Sequence, residues 1–334
     1  MGTGSNANNE NAVCGICPHN CSLESGATGI CGVRKNVGNG MVEPVHYGVV
    51  SGYSADPMEK KPLYHYYPGS VILSVGSYGC NLKCDFCQNY SISQEFSVPQ
   101  GRNISPDTIV EDALKIKNNT GIAFTYNEPV VWSEYMRDIA LKARDAGLTT
   151  VMVSNGYVNQ APLKEMISYI DAFNIDLKFF SDESYRKYAG GTLNPVLKSI
   201  SAIANAGRHL EITTLVIPGL NDSAVEMAAL TAWIASETGK DTPFHISRYF
   251  PNFRRKTEST DPPKISELHK VASENLSFVY AGNLATNTLS DTYCPKCGTR
   301  VTRRSGYNTE LISITSEGNC AKCGRKIYKN LTCS

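Results

Sequence analysis

The chain has 334 residues, of which 41% are hydrophobic and 19% charged, and its formal net charge is +1. That length accommodates one large domain with small appendages, and near-neutrality excludes a global attraction to nucleic acid or an anionic membrane. No stretch reaches the roughly 18 apolar residues of a membrane span, so neither a membrane nor a nucleic-acid partner is expected.

The first segment, MGTGSNANNENAV, is polar and lacks the basic and apolar sections of a secretory signal. Residues 1–13 read as a disordered lead-in, and 14–70 as a metal-binding segment with a linker. There Cys14, Cys17, Cys21 and Cys31 supply four thiolates, able to hold either zinc or an auxiliary iron–sulfur cluster. A full thiolate set closes the site, so its role is structural or electron-relaying. The spacing departs from the ferredoxin run, which favours zinc; His19 is an alternative ligand. The EKKPLYHYYPG stretch that follows has two readings. One is a loop near a substrate opening, with a tyrosine or His65 as hydrogen or proton donor; the other is a linker strand laid against the next domain.

Residues 71–285 alternate apolar β-rich runs with helical patterns. VILSVGS (71–77), GIAFTYN (121–127), TTVMVSN (149–155), AFNIDLK (172–178), HLEITTLVI (209–217), PFHISRY (243–249) and SFVYAGN (277–283) read as strands. Their near-continuous apolar character suits parallel strands covered on both faces. SPDTIVEDALKIK opens as a helix with Ser105 as N-cap and Pro106 in the first turn, and WSEYMRDIALKARDAG ends at Gly147. The alternation predicts βαβ units and an α/β barrel, whose chemistry sits at the C-terminal strand ends. The polar tips collected there are Asn127, Asn155, Asp176, Lys178, Thr213, Thr214, His245 and Asn283. A lone histidine such as His245 is more often a satisfied core residue.

Residues 286–334 carry Cys294-x2-Cys297-x22-Cys320-x2-Cys323, a zinc-ribbon or rubredoxin-like signature for zinc or iron. The basic TRVTRRS (299–305) has no interleaved aromatics for base stacking and reads as a solvated hairpin. Cys333 is left over. Cysteines grouped at ligand spacings, without a secretory signal, point to a reducing cytoplasm rather than a disulfide scaffold.

The most informative run is GCNLKCDFCQN, in which Cys80-x3-Cys84-x2-Cys87 follows a strand and loop. A four-iron cluster has four corners, each wanting a thiolate, so three cysteines leave one iron open. A zinc knuckle would need a fourth ligand, and no histidine lies between Cys80 and Cys87. With aromatic Phe86 before the third cysteine, the motif resembles the radical S-adenosylmethionine (SAM) superfamily. That resemblance implies a partial (βα)6 TIM-like barrel and a [4Fe–4S] cluster on the catalytic Cys80, Cys84 and Cys87. It further implies SAM chelated at the open iron, and an electron from a reducing partner such as ferredoxin or flavodoxin. Reductive cleavage then yields a 5′-deoxyadenosyl radical, and the oxygen-sensitive cluster implies an anaerobic or microaerobic setting.

Further segments carry the resemblance. TYNEP (125–129) is similar to the TGGEP segment of glycyl-radical-enzyme activases, with Tyr126 and Asn127 in place of the glycines. By resemblance Thr125, Asn127 and Glu128 would hold the methionyl amino group. NIDLK implies Lys178 on the SAM carboxylate, with Asp176 orienting it or facing the ribose; Asn155 is a ribose or carboxylate candidate. The backbone at Phe86 and the LVIPGLND segment, shaped by Pro218 and Gly219, would pack the adenine. Thr213 and His245 are further rim candidates. Together with PHNCSLESGATGICGVRKN, DPMEKKPLYHYYPGS and the terminal YCPKCG and CAKCG, the chain resembles AmmeMemoRadiSam-type radical SAM proteins. These are relatives of pyruvate formate-lyase activating enzymes. The implied reaction is hydrogen abstraction, either in glycyl-radical activation of a partner enzyme or on a small molecule or partner-bound cofactor. The rival reading is a non-catalytic metal-binding adaptor, against which the joint presence of Cys80, Cys84, Cys87, Glu128 and Lys178 argues.

Overall fold

A computed structural model describes residues 11–97, 101–284 and 288–331; most of the expected lead-in, and Cys333, lie outside them. Among the described residues one eight-stranded sheet dominates. Its strands are β1 (Gly52–Pro57), β2 (Val71–Gly76), β3 (Asn119–Phe124), β4 (Thr149–Ser154), β5 (Ala172–Asp176), β6 (His209–Val216), β7 (Phe244–Arg248) and β8 (Val279–Gly282). They lie side by side in chain order. β2 to β8 are all parallel, whereas β1 runs antiparallel to β2. Six crossover helices cover the outer face: α1 (Pro106–Lys115), α2 (Ser133–Asp145), α3 (Gln160–Tyr169), α4 (Leu193–Asn205), α5 (Ala224–Thr238) and α6 (Pro262–Ser273). A parallel strand needs such a crossover, and its fixed hand puts every helix on one side. The sheet is a partial barrel with β1 and β8 as unjoined edges.

Local sequence explains the elements. Ser105 Oγ accepts the Thr108 N–H at 3.2 Å and Pro106 occupies the first turn of α1. Gly147, at φ +77°, ends α2 in the left-handed conformation that glycine adopts without strain. The strands stop one to three residues before the polar tips at Asn127, Asn155, Lys178 and Asn283, which occupy the loops beyond. β1 was not expected, because GYSADP has none of the β-branched apolar character of its neighbours; its ladder with β2 makes it a strand. β8, at the other edge, extends the six-strand pattern by one.

The ribbon strands Thr292–Tyr293, Arg300–Ser305 and Asn308–Leu311 form a separate antiparallel sheet. Its Val301, Tyr328, Cys294 and Cys320 share a buried cluster with Tyr64, Phe278 and Tyr280. The reading of residues 299–305 as a solvated hairpin is corrected at Arg304. This side chain is buried, stacks 4.2 Å from the Tyr64 ring centroid and donates to Tyr64 O at 2.9 Å. A guanidinium can be buried there because aromatic faces, two carbonyls and the Thr292 hydroxyl take up its terminal nitrogens and Glu59 lies 4.0 Å from Nε, although Nε itself has no hydrogen-bond partner.

Candidate active site

The loop carrying Cys80, Cys84 and Cys87 is pinned from several directions. Asn127 Oδ1 accepts the Ser77 N–H at 3.0 Å, and Asn127 Nδ2 donates to Gly79 O at 2.9 Å. Lys83 N–H donates to Ala189 O at 2.7 Å, and Gln94 Nε2 to Cys84 O at 2.8 Å. Arg255 grips Asp85 through both carboxylate oxygens, at 3.0 and 2.6 Å. These restraints order a loop that would otherwise cost conformational entropy to hold in one geometry.

The three thiols face a cavity of about 590 Å³ at the C-terminal ends of the strands. Its lining includes the expected Phe86, Thr125, Asn127, Glu128, Asn155, Asp176, Lys178, Thr213 and His245, with Asn283 at the rim. Thr214, Pro218 and Gly219 do not line it; Leu215 is the part of the adenine-wall segment that does. Thr214 Oγ1 turns to Leu177 O at 2.8 Å.

Two lining asparagines are committed to scaffolding. Asn127's amide is occupied by the cluster loop. Asn155 Nδ2 reaches Asn81 Oδ1 at 2.9 Å and Cys80 Sγ at 3.6 Å, while its Oδ1 accepts the Tyr157 N–H at 2.8 Å. Glu128 accepts from Ser154 Oγ at 2.7 Å, Asn155 N at 2.8 Å and Val130 N at 3.1 Å. Burial nevertheless pushes its carboxyl up to about 7. A cationic ammonium placed beside it would restore the carboxylate. Lys178 Nζ lies 2.9 Å from Asp176 Oδ2. Burial alone would lower that ammonium, but the charges of Asp176 and Cys84 hold it well above the ordinary lysine value. Burial raises the Cys84 thiol to about 12, a proton that a bound metal displaces.

His245 lies beneath this chamber in a buried polar knot. Its Nε2 is 2.6 Å from Glu211 Oε2, and the same carboxylate accepts from Tyr64 N, His65 N and His209 Nε2 at 2.9, 2.7 and 2.9 Å. Burial would raise Glu211, but His209 and His245 hold it well below the usual carboxylate range. His245 therefore combines pocket lining with the satisfied core role that a lone strand histidine suggests.

The lining also takes in the EKKPLYHYYPG segment and, unanticipated, a residue of the ribbon. Glu59, Lys60, Lys61, Pro62 and Tyr64 wall one side, and Tyr307 reaches in from the C-terminal sheet. The EKKPLYHYYPG stretch thus borders the opening, as one reading had it; it is a short helical turn and loop after the edge strand β1, not the linker strand of the other reading. Tyr126 is the other unanticipated feature. It holds φ +72°, a region costly for a non-glycine residue. Its ring covers the cross-strand pair Gly52 and Gly76, where an added Cβ would come within 2.6 and 2.7 Å of it, and its hydroxyl donates to Asp56 Oδ2 at 2.6 Å. The left-handed turn that glycine would supply is held by a tyrosine anchored at its tip.

The flanking cysteines differ in geometry. Cys294, Cys297, Cys320 and Cys323 bring all their sulfurs within 4.8 Å of one another, with contacts of 3.5 and 3.7 Å. A tetrahedron with 2.3 Å metal–sulfur bonds has edges of about 3.8 Å, so this set fits a single ion. At the other end His19, the alternative ligand, has its Nε2 2.8 Å from Asn81 O and packs edge-on against Tyr157. For the site at Cys80, Cys84 and Cys87, the donor set fits a [4Fe–4S] cluster with SAM: three buried or half-buried thiols, a chamber before them, and Glu128, Asp176 and Lys178 around it.

A family model described as the radical SAM superfamily matches residues 74–232. An uncharacterized protein of Methanocaldococcus jannaschii is 37% identical over 319 residues, 94% of each chain. The pyruvate formate-lyase-activating enzyme of Clostridium pasteurianum is 23% identical over 214 residues, covering 59% of this chain and 88% of that protein. The crystal structure of a radical SAM methyltransferase from Sphaerobacter thermophilus superposes with a TM-score of 0.52 at 14% identity, over 70% of this chain and 71% of that one, a likeness of fold alone. No helix among the described residues is long and apolar enough to cross a membrane. With a parallel partial barrel, a three-cysteine loop at its C-terminal face and these relatives, the chain belongs to the radical SAM superfamily, as an enzyme of the activating-enzyme-like kind.

Proposed function

We propose that this enzyme cleaves SAM reductively and abstracts a hydrogen atom from a substrate held in the same chamber. The observation that carries the reading is the convergence of Cys80, Cys84 and Cys87 with Glu128, Asp176 and Lys178 on one cavity. When bound, the cluster and SAM supply a 5′-deoxyadenosyl radical. The chain's own residues do the rest. Glu128 receives the methionyl ammonium, and Lys178, oriented by Asp176, receives the carboxylate. Asn127 and Asn155 hold the loop and the Cys80 thiolate in register. The strand-end position keeps reacting groups on a rigid frame and away from bulk water.

Glycyl-radical activation of a partner protein is the finer reading suggested by the named relatives, with a ferredoxin- or flavodoxin-type protein as electron donor. A small molecule or partner-bound cofactor is the second reading, favoured by the walls that residues 59–64 and Tyr307 add around the opening. Zinc in the ribbon and a cytoplasmic, anaerobic setting belong to the same proposal. The test is anaerobic: reconstitute, reduce, add SAM and quantify 5′-deoxyadenosine, with the electron paramagnetic resonance (EPR) spectrum of the reduced cluster recorded with and without SAM. Product and a SAM-dependent spectral change are expected; an intact, reducible cluster whose spectrum ignores SAM would overturn the reading.

A further inference from the structure

We propose that Lys60, paired with Lys61 on the carboxylate of Asp56, binds the carboxylate or phosphate group of a small substrate held in the chamber beside SAM. The proposal rests on the reading of the chamber as the place of SAM cleavage, and it names the class of substrate that the chamber admits.

The first ground is charge. Lys60 and Lys61 both line the chamber and share one counter-ion, with Lys60 Nζ 2.8 Å from Asp56 Oδ1 and Lys61 Nζ 2.7 Å from Oδ2. Burial lowers the Lys61 ammonium only to about 8, so it keeps its charge at neutral pH. Two cations on one carboxylate leave a positive charge unmatched. Among the described residues, the other basic groups of the lining are matched: Lys178 has Asp176 at 2.9 Å, and His245 has Glu211 at 2.6 Å. Glu59, the preceding residue, is turned to partners of its own. Its Oε1 accepts from Gly69 N at 2.8 Å and Thr309 Oγ1 at 2.7 Å, and Arg304 Nε stands 4.0 Å away. Once Glu128 and Lys178 have taken the two ends of the methionyl group, the surplus cation is left for a substrate anion. Lys60 is the arm that reaches it. Its side chain is 41% exposed against 2% for Lys61, and an ammonium with one hydrogen on Asp56 has two more to give.

The second ground is strain. Tyr126 holds φ +72°, and residues kept in such a conformation gather at ligand clamps, where the surroundings fix them. Its hydroxyl is the third donor to Asp56, 2.6 Å from Oδ2, and Lys61 Nζ stands 4.8 Å from the centroid of its ring. Glycine would adopt the same turn without strain and could do neither. The strained tyrosine thus holds the lysine pair in place.

The third ground is position. Tyr126 belongs to the loop that carries Thr125 and Glu128, and its carbonyl accepts from Asn89 Nδ2 at 2.6 Å, two residues beyond Cys87. The lysine pair is thereby tied to the SAM wall and to the cluster loop together. Hydrogen abstraction requires the donor carbon to be held against the radical, and an anion on Lys60 is held by the same frame.

Binding is read by saturation-transfer difference NMR on the methyl protons of acetate and of methylphosphonate. Each is added to the reconstituted full chain with SAM present, so that the SAM carboxylate fills its own place. A saturable signal is expected from at least one probe, and the tighter of the two tells a carboxylate site from a phosphate site. Lys60→Gln should weaken this binding about tenfold, the scale of one charge-assisted hydrogen bond, whereas Lys60→Arg should keep most of it. Signals that do not saturate, that saturate equally in Lys60→Gln, or that fall equally in Lys60→Arg would overturn the subsite. The EPR response to SAM, recorded on the same wild-type sample, separates the two readings. A response without anion binding removes the subsite alone. Lys60-dependent anion binding without a response removes SAM cleavage and leaves the anion site standing.

Discussion

Asp176, the last residue of β5, and Lys178, two residues on in the loop beyond, meet at 2.9 Å on the chamber wall. The ion pair is made within one strand-end loop, so it is in place before any ligand arrives. Lys178→Met should keep the cluster and weaken SAM binding about 10- to 100-fold, the ~1.5–3 kcal/mol of a charge-assisted hydrogen bond. SAM titration of the reduced protein by EPR measures this. An unchanged affinity would remove Lys178 from the binding site.

Cys84 is buried and lines the chamber between the other two loop cysteines. Cys84→Ala should abolish 5′-deoxyadenosine formation and lower the iron content, while far-UV circular dichroism stays that of the wild type. Cleavage persisting in this variant would end the catalytic assignment of the loop.

Gly76 makes room for the Tyr126 ring, and a Cβ there would also approach Thr125 O at 2.9 Å. Gly76→Ala should therefore displace the 125–128 segment, cost about 1–3 kcal/mol of stability by overpacking, and weaken SAM binding. Gly147→Ala is the control: an added Cβ there meets nothing within 4 Å, so its backbone strain is felt far from the chamber. Equal effects on SAM affinity from both variants would contradict the account.

His65 links the barrel to the ribbon. Its Nε2 is 2.6 Å from the Tyr280 hydroxyl and its Nδ1 3.3 Å from Ile327 O, and burial lowers it from 6.5 to about 3. Between those values the unfolded chain binds more protons than the folded one. The stability is thus complete above about pH 6.5 and is lost progressively as pH falls toward 3. Asp56 acts in the same direction. Burial would raise it, but Lys60, Lys61 and Tyr126 hold it well below the usual carboxylate range. Urea midpoints should fall from pH 7 to pH 5 in the wild type and fall less steeply in His65→Gln. Identical slopes would show that His65 does not carry this dependence.

Much of the barrel was legible because its signals are local. Apolar β-rich runs such as TTVMVS and AFNID must be covered on both faces, and the caps at Ser105 and Gly147 act within one turn. The chemistry of the cluster loop was legible for the same reason, since three cysteines and Phe86 lie within eight residues. What was not legible depends on partners distant in the chain. GYSADP becomes a strand only beside β2. Arg304 is buried only because Tyr64, 240 residues earlier, offers its ring and carbonyl. Asn127 looks like a ligand from its strand-end position, yet its amide is taken up by Ser77 and Gly79.

The sequence by itself determined the parallel α/β architecture, the open-corner cysteine motif and the presence of two further thiolate sets, because each is written in periodicity or spacing along the chain. Only the tertiary structure decided which polar tips face the chamber, that residues 59–64 and Tyr307 wall it, and that the four ribbon sulfurs converge at single-ion spacing. Those facts are distances between segments far apart in sequence, and side-chain packing, rather than local propensity, sets them.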